Sequence, residues 1–185
     1  MVKRIIVGVT GASGIEYALE FLKELKKSKE IETHLIISEA ARKVIEVETD
    51  FKPKDFEKLA DFSYDNKNMA ASVSSSSFKV DSMIVIPASV KTCSAIANAY
   101  TDELIARCAD NILKFKKKLV VCLRETPLST ACLKNLHELS LMGAIVMPLS
   151  PGFYLNPKSK KDLIDFMIGK CLDALEIENN FKRWK

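Results

Sequence analysis

The stretch Arg4-Ile5-Ile6-Val7-Gly8-Val9-Thr10-Gly11-Ala12-Ser13-Gly14-Ile15 decides the fold. Residues 4–9 form a short apolar run rich in β-branched side chains, the composition of a strand buried on both faces. Thr10 to Gly14 break that run with small residues. Ile15, Ala18, Leu19, Leu22 and Leu25 then recur at the spacing of an amphipathic helix. Strand, glycine-bearing turn and helix together make the opening unit of an α/β sheet.

The same alternation continues along the chain. Residues 33–37, 83–86, 118–123 and 144–147 read as further strands, and 39–47, 92–99, 102–116, 129–142 and 160–175 as helices, with Asp102 as a cap. Pro53 and Asp55 start a short helix. The Ser-rich stretch 66–77 is expected to be a mobile loop, and proline-rich 148–157 a fixed one. Neither a repeat nor a linker interrupts the pattern. The expected architecture is one α/β domain over 1–185, with a doubly wound, mostly parallel sheet in a flavodoxin- or Rossmann-like three-layer arrangement.

Composition narrows the function. With 48% apolar residues, a chain of 185 residues buries a core without staples. The net charge of +4 is too mild and too scattered for a nucleic-acid footprint. The dense run Lys114 to Lys118 reads as a solvated helix end before a strand. Five cysteines without a C-x-x-C or a neighbouring histidine give no metal site and point to reduced thiols. The apolar strand after Lys3-Arg4 is too short for a signal or a membrane span, so the protein is expected to be cytoplasmic.

Ligands of such sheets sit outside the carboxyl ends of the strands. At Gly11-Ala12-Ser13-Gly14 two readings stand: a phosphate cradle of backbone amides and the Ser13 hydroxyl, or a tight turn without a ligand. A short-chain dehydrogenase is excluded by two features. Tyr154 and Lys158 have its Y-x-x-x-K spacing, but Pro157 lies between them, and Ser38 stands where a ribose-binding carboxylate belongs. Arg107 and Lys114 lie close to two helical turns apart, as an anion site or as a solvent-facing stripe. Arg124 and Glu125 follow a strand end, at a site edge or as an ion pair. Lys170 borders the apolar face of the last helix, as a ligand or as a snorkelling lysine. Tyr154 is a site residue or a core tyrosine. His34 and His137 fit core or surface roles, and so little histidine leaves no room for a Ser–His triad.

Together these residues resemble the UbiX family of flavin prenyltransferases. The resemblance runs from Val7 to Trp184 through G-x-T-G-A-S-G at 8–14, P-A-S-x-K-T at 87–92, D-x-L-I-x-R-x-A-D at 102–110, Leu113-Lys114, R-E-T-P-L-S at 124–129, P-G-F-Y at 151–154 and Arg183-Trp184. It implies a flavodoxin-like homododecamer with FMN between subunits. Gly11, Ala12, Ser13, Ser38, Ser89, Val90, Lys91, Thr92 and Arg124 are then expected at FMN. Arg107, Lys114, Arg124, Tyr154 and Lys170 are expected at the phosphate of dimethylallyl phosphate, Glu125 and Ser13 at the proton steps, and Trp184 at the prenyl pocket. Reduced FMN is the implied co-substrate and prenylated FMN the product, passed to a UbiD-type decarboxylase. Nothing implies a metal, nucleic acid or membrane. The chain departs from the family's usual pattern at Lys170, where arginine is common, at Lys114-Phe115-Lys116-Lys117-Lys118, and in the Ser-rich loop, which lacks the usual glycine and prolines. Two rivals share the superfold. A flavin-dependent cysteine decarboxylase would need an M-N-x-x-M-W motif and a histidine base, which are missing here. A flavin carrier would need no second phosphate site.

Overall fold

The computed structural model describes residues 2–183. Six strands, β1 (Lys3–Val9), β2 (Ile31–Ile37), β3 (Phe62–Asp65), β4 (Ser82–Ala88), β5 (Lys118–Leu123) and β6 (Ile145–Val146), form one sheet in the order β3-β2-β1-β4-β5-β6. Every pairing is parallel. The chain winds outward from β1 to β3, then returns to β1's other side at β4 and winds the opposite way. The switch point therefore lies between the ends of β1 and β4.

Side-chain alternation builds the three layers. Ile5, Val7, Val9, Leu35, Ile37, Ile84, Ile86, Val120 and Cys122 face one core with helices α1 (Ile15–Lys26), α2 (Glu39–Glu48), α3 (Pro53–Glu57) and α7 (Lys160–Ala174). Ile6, Ile36, Met83, Val85, Leu119, Val121 and Leu123 face the other, against α4 (Val90–Ala97), α5 (Leu104–Lys114) and α6 (Thr130–Leu141). The period of two explains why the central strands read as continuous apolar runs: both faces are covered. All five cysteines are buried and unpaired, and burial pushes the Cys93 and Cys108 thiols up to about 12. Among the described residues no helix is long and apolar enough to cross a membrane.

The structure corrects the sequence reading between 50 and 81 and at one helix start. β3 is an extra strand, paired to β2 with His34 opposite Phe62. It is a four-residue, largely exposed edge, too short to announce itself by pattern. The Ser-rich stretch is docked rather than mobile. It makes a 3₁₀ turn at Ser72–Ser74, Val73 is buried, and the Ser74 carbonyl accepts from Arg107 Nε at 3.2 Å and Asn111 Nδ2 at 3.0 Å. Asp102 does not cap α5. Buried Asn66 does so from a distance, its Oδ1 accepting the Ile105 amide at 3.0 Å and its carbonyl the Leu104 amide at 2.8 Å.

His34 joins this edge to the core. Its ring contacts the Tyr64 hydroxyl and Glu32 Oε1, each at 2.9 Å, and stacks on Phe62 at 5.0 Å. Burial holds its pKa below the usual histidine value against the pull of Glu32. The folded chain thus favours the neutral ring, while the unfolded chain protonates it near its ordinary pKa of about 6.5. Native stability is expected to fall as pH drops below that value. Urea midpoints taken from pH 7 to pH 5 should decline, and His34→Gln should flatten the decline while lowering the midpoint at pH 7.

Candidate active site

Thr10 closes the switch point. Its hydroxyl, 1% exposed, donates to the Pro87 carbonyl at 2.8 Å and accepts the Ser89 amide at 2.7 Å. The Thr10 amide also reaches the Pro87 carbonyl, at 3.2 Å. The ends of β1 and β4 are thereby fixed relative to each other, and three helix N-termini open around them. Ser38 caps α2 by accepting the Ala41 amide at 3.1 Å. Ser89 caps α4, accepting the Thr92 amide at 3.3 Å and contacting the Thr92 hydroxyl at 3.1 Å. Gly11 lies so close to α2 that a Cβ there would sit 2.4 Å from the Ala40 Cβ.

The third N-terminus, that of α1, is already occupied. Gly14 precedes it at φ +93°, a conformation that favours glycine, and offers no capping side chain. Glu48, from the last turn of α2, fills the position: its Oε2 accepts the Gly14 amide at 2.8 Å and the Ile15 amide at 3.2 Å. Burial pulls the Glu48 pKa up, yet hydrogen bonds from Ser13 and from these two amides, with the Arg124 charge nearby, hold it below the usual carboxylate range. The Gly11–Gly14 turn is thus a cradle whose first-turn amides hold the chain's own carboxylate. Arg124 leaves β5 over this turn, its Cγ 3.8 Å from where a Gly14 Cβ would stand. Arg124 and Glu125 are both exposed, and Glu125 Oε1 accepts the Thr126 amide at 2.9 Å.

The other expected phosphate ligands fall into two separate groups. Tyr154 and Lys170 meet through Phe166: the Tyr154 ring packs edge-on against it at 5.5 Å, and Lys170 Nζ lies 5.7 Å from its centroid. A cavity of about 230 Å³ adjoins them. Arg107 and Lys114 sit on α5, Arg107 on the Ser74 carbonyl and Lys114 paired with Asp110. Lys114 lies at the end of α5 that leads into the start of β5, the opposite edge of the sheet from the crevice. One chain therefore does not gather its four cations. Tyr154 and Lys158 share no helix, since α7 starts at Lys160. Trp184 lies outside the described residues.

Comparison with known proteins places this geometry. The sequence profile of the family described as Flavoprotein matches residues 1–179. A flavin prenyltransferase UbiX of Escherichia coli K12 is 42% identical over 186 residues, covering 99% of this chain and 98% of that protein. The chain belongs to the UbiX family of flavin prenyltransferases. A crystal structure of AnUbiX (PadA1) in complex with FMN and dimethylallyl pyrophosphate matches with a TM-score of 0.97 at 41% identity, covering 100% of this chain and 98% of that one. A dodecameric FMN-dependent UbiX-like decarboxylase from Escherichia coli O157:H7 matches with a TM-score of 0.96 at 41% identity, over 98% and 99% of the two chains.

Within this UbiX-family frame, sequence reasoning missed two residues of the crevice. Thr10 was visible only as part of the turn, because its value lies in a contact 77 residues away. Glu48 lies just past the helix expected at 39–47, where nothing in the sequence marks it; the structure extends that helix to include it. The available signal was the lack of any capping side chain at Gly14, which leaves α1 needing an acceptor from elsewhere. Glu48→Ala is expected to cost about 1 kcal/mol of stability, the worth of a helix N-terminal acceptor. That difference, read from denaturant melts at pH 7, should shrink on acidification, because a carboxylate with a depressed pKa loses its contribution as it is protonated.

Proposed function

We propose that this chain prenylates FMN, joining the dimethylallyl group of dimethylallyl phosphate to N5 and C6 of the reduced flavin, and that the product serves a UbiD-type decarboxylase. The observation that supports it most is the crevice itself. Around one switch point stand hydroxyls at Ser13, Ser38, Ser89 and Thr92, the first-turn amides of α4 at Val90 and Lys91, and one overhanging guanidinium, Arg124. That donor set fits a phosphate ester and the polar edge of a flavin. Glu48 already holds the Gly14 and Ile15 amides, so the anionic end of FMN is left the N-termini of α2 and α4, with the Gly11–Ser13 turn beside the ring system. When bound, reduced FMN supplies the nucleophilic positions and dimethylallyl phosphate the allylic electrophile.

The chain's residues then have distinct tasks. Lys170 and Tyr154, joined by Lys114, Arg107 and Arg124 from neighbouring copies, hold the leaving phosphate. Preorganised cations stabilise charge that develops as the C–O bond breaks. Three separated groups of ligands in one chain fit a homo-oligomer, a dodecamer in this reading, whose subunit junctions complete the site. Ser13, hydrogen-bonded to Glu48, and Glu125, at the crevice rim, are placed to hold and move the proton released when the new ring closes.

Two measurements test the reading. Reduced FMN incubated anaerobically with dimethylallyl phosphate and the protein should gain the mass of one dimethylallyl group less the one hydrogen it displaces, with phosphate released; unchanged flavin mass sinks the proposal. Glu125→Gln should lower kcat by about a hundredfold, a typical general acid–base contribution, with FMN affinity unchanged. Equal loss of turnover and FMN binding would remove Glu125 from the proton step.

A further inference from the structure

Tyr154 and Lys170 are both largely exposed on the α7 side, and an exposed lysine on a helix encloses nothing. What turns them into a pocket is the stretch of chain after α7. Residues 177–183 double back along the helix, so that Asn179, Phe181 and Arg183 face Tyr154, Phe166 and Lys170 across the 230 Å³ cavity. Two devices hold the stretch there. Gly169, buried in α7, lets Phe181 approach so closely that a Cβ at 169 would meet the Phe181 Cβ at 2.8 Å. Asp173, one turn further on, accepts a two-pronged pair from Arg183, at 2.6 and 2.9 Å, and a bond from the Asn179 side-chain Nδ2 at 2.9 Å. Asn179 in turn accepts the Phe181 amide at 3.3 Å, and Lys182 donates to the Leu155 carbonyl at 3.3 Å. Burial pulls the Asp173 pKa up, but Asn179, Arg183 and Lys170 together hold it below the usual carboxylate range, so the clasp is ionised at neutral pH.

We propose that residues 177–183 are one wall of the donor pocket, and that Gly169 and Asp173 are the positioning residues that dock it. The proposal rests on the prenyl-transfer reading for its substrate, a short allylic phosphate. Such a donor puts a charged end against Lys170 and Tyr154 and an apolar end that needs water excluded, and Phe181 supplies the apolar surface opposite. Neither positioning residue needs to touch the donor.

Gly169→Ala is the decisive variant because it changes no charge. Alanine favours a helix interior over glycine by about 1 kcal/mol, so α7 itself is not weakened; only Phe181 is displaced. Asp173→Asn removes the clasp from the other side. In both, amide hydrogen exchange of residues 177–183 should accelerate. The KM for dimethylallyl phosphate should rise by about tenfold, with kcat and FMN affinity close to wild type, the pattern of lost binding rather than lost chemistry. Inorganic phosphate should slow exchange of 177–183 in the wild-type protein and much less in Gly169→Ala, a readout independent of turnover. The proposal is overturned by unaltered exchange in Gly169→Ala, by a loosened stretch with a wild-type KM, by FMN affinity falling in step with KM, or by phosphate leaving wild-type exchange unchanged. Should the wild-type protein transfer no prenyl group, the functional reading fails, while the exchange measurements still decide the docking and the anion site.

Discussion

Two central strands diverge in their connections, and one buried hydroxyl ties them together where they do. Thr10 gives its proton to the Pro87 carbonyl and takes one from the Ser89 amide, at 2.8 and 2.7 Å. Proline has no amide to give, so β4 near its end cannot complete a regular ladder with β1, and its pairing with β5 shifts register between Val85 and Ala88. The threonine hydroxyl instead bridges the Pro87 carbonyl and the Ser89 amide, holding the two strand ends together. A valine there would fill the same space, keep the backbone bond from residue 10 to the Pro87 carbonyl, and leave the part-buried Ser89 amide without its acceptor, at a cost of about 1–3 kcal/mol. The contact joins the two strand ends from which the turns into α1 and α4 depart.

Around that crevice the chain manages three like-poled helix ends. Aligned N-termini crowded at one place repel one another and attract anions. Two of them are met by serine caps, which satisfy an amide without adding charge, and the third by the Glu48 carboxylate. The outcome is graded: one end neutralised by the protein, two left receptive. The same carboxylate lies near Arg124 and accepts from Ser13, so the group that stabilises α1 also fixes the charge state of the crevice floor. Stability and site electrostatics are here properties of one side chain.

Much of this was legible in the sequence, and the limit has a physical form. Strands β1, β2, β4 and β5 announce themselves because burial on both faces demands unbroken apolar runs, and the helices because one face must be apolar. Ser38 and Arg124 were readable as crevice residues because a parallel sheet opens its crevice at the strand ends; Ser89 was expected there only through the family resemblance. β3 was not, because a four-residue exposed edge has no pattern to show. The Ser-rich stretch misled for a related reason. Serines promise mobility, but its anchors are single atoms, the Ser74 carbonyl and the Asn66 side chain, whose partners Arg107, Asn111 and Ile105 lie 33 to 39 residues away. Thr10 and Glu48 share that character: contacts made at long range through one or two atoms leave no local signature.

The scattering of the cations is the remaining feature, and electrostatics accounts for it. Four positive side chains gathered in one folding chain would repel across a water-poor pocket before any anion arrived, and an unpaired buried charge is among the costliest groups a fold can carry. Here each of three cations has a resting partner of its own: Arg107 the Ser74 carbonyl, Lys114 the Asp110 carboxylate, Lys170 the Phe166 ring face. The chain folds with these three cations already partnered. In the proposed assembly they converge only at subunit junctions, where a phosphate supplies the compensating charge. A site divided in this way ties catalytic competence to assembly, since no monomer can hold the leaving group with more than part of its ligands.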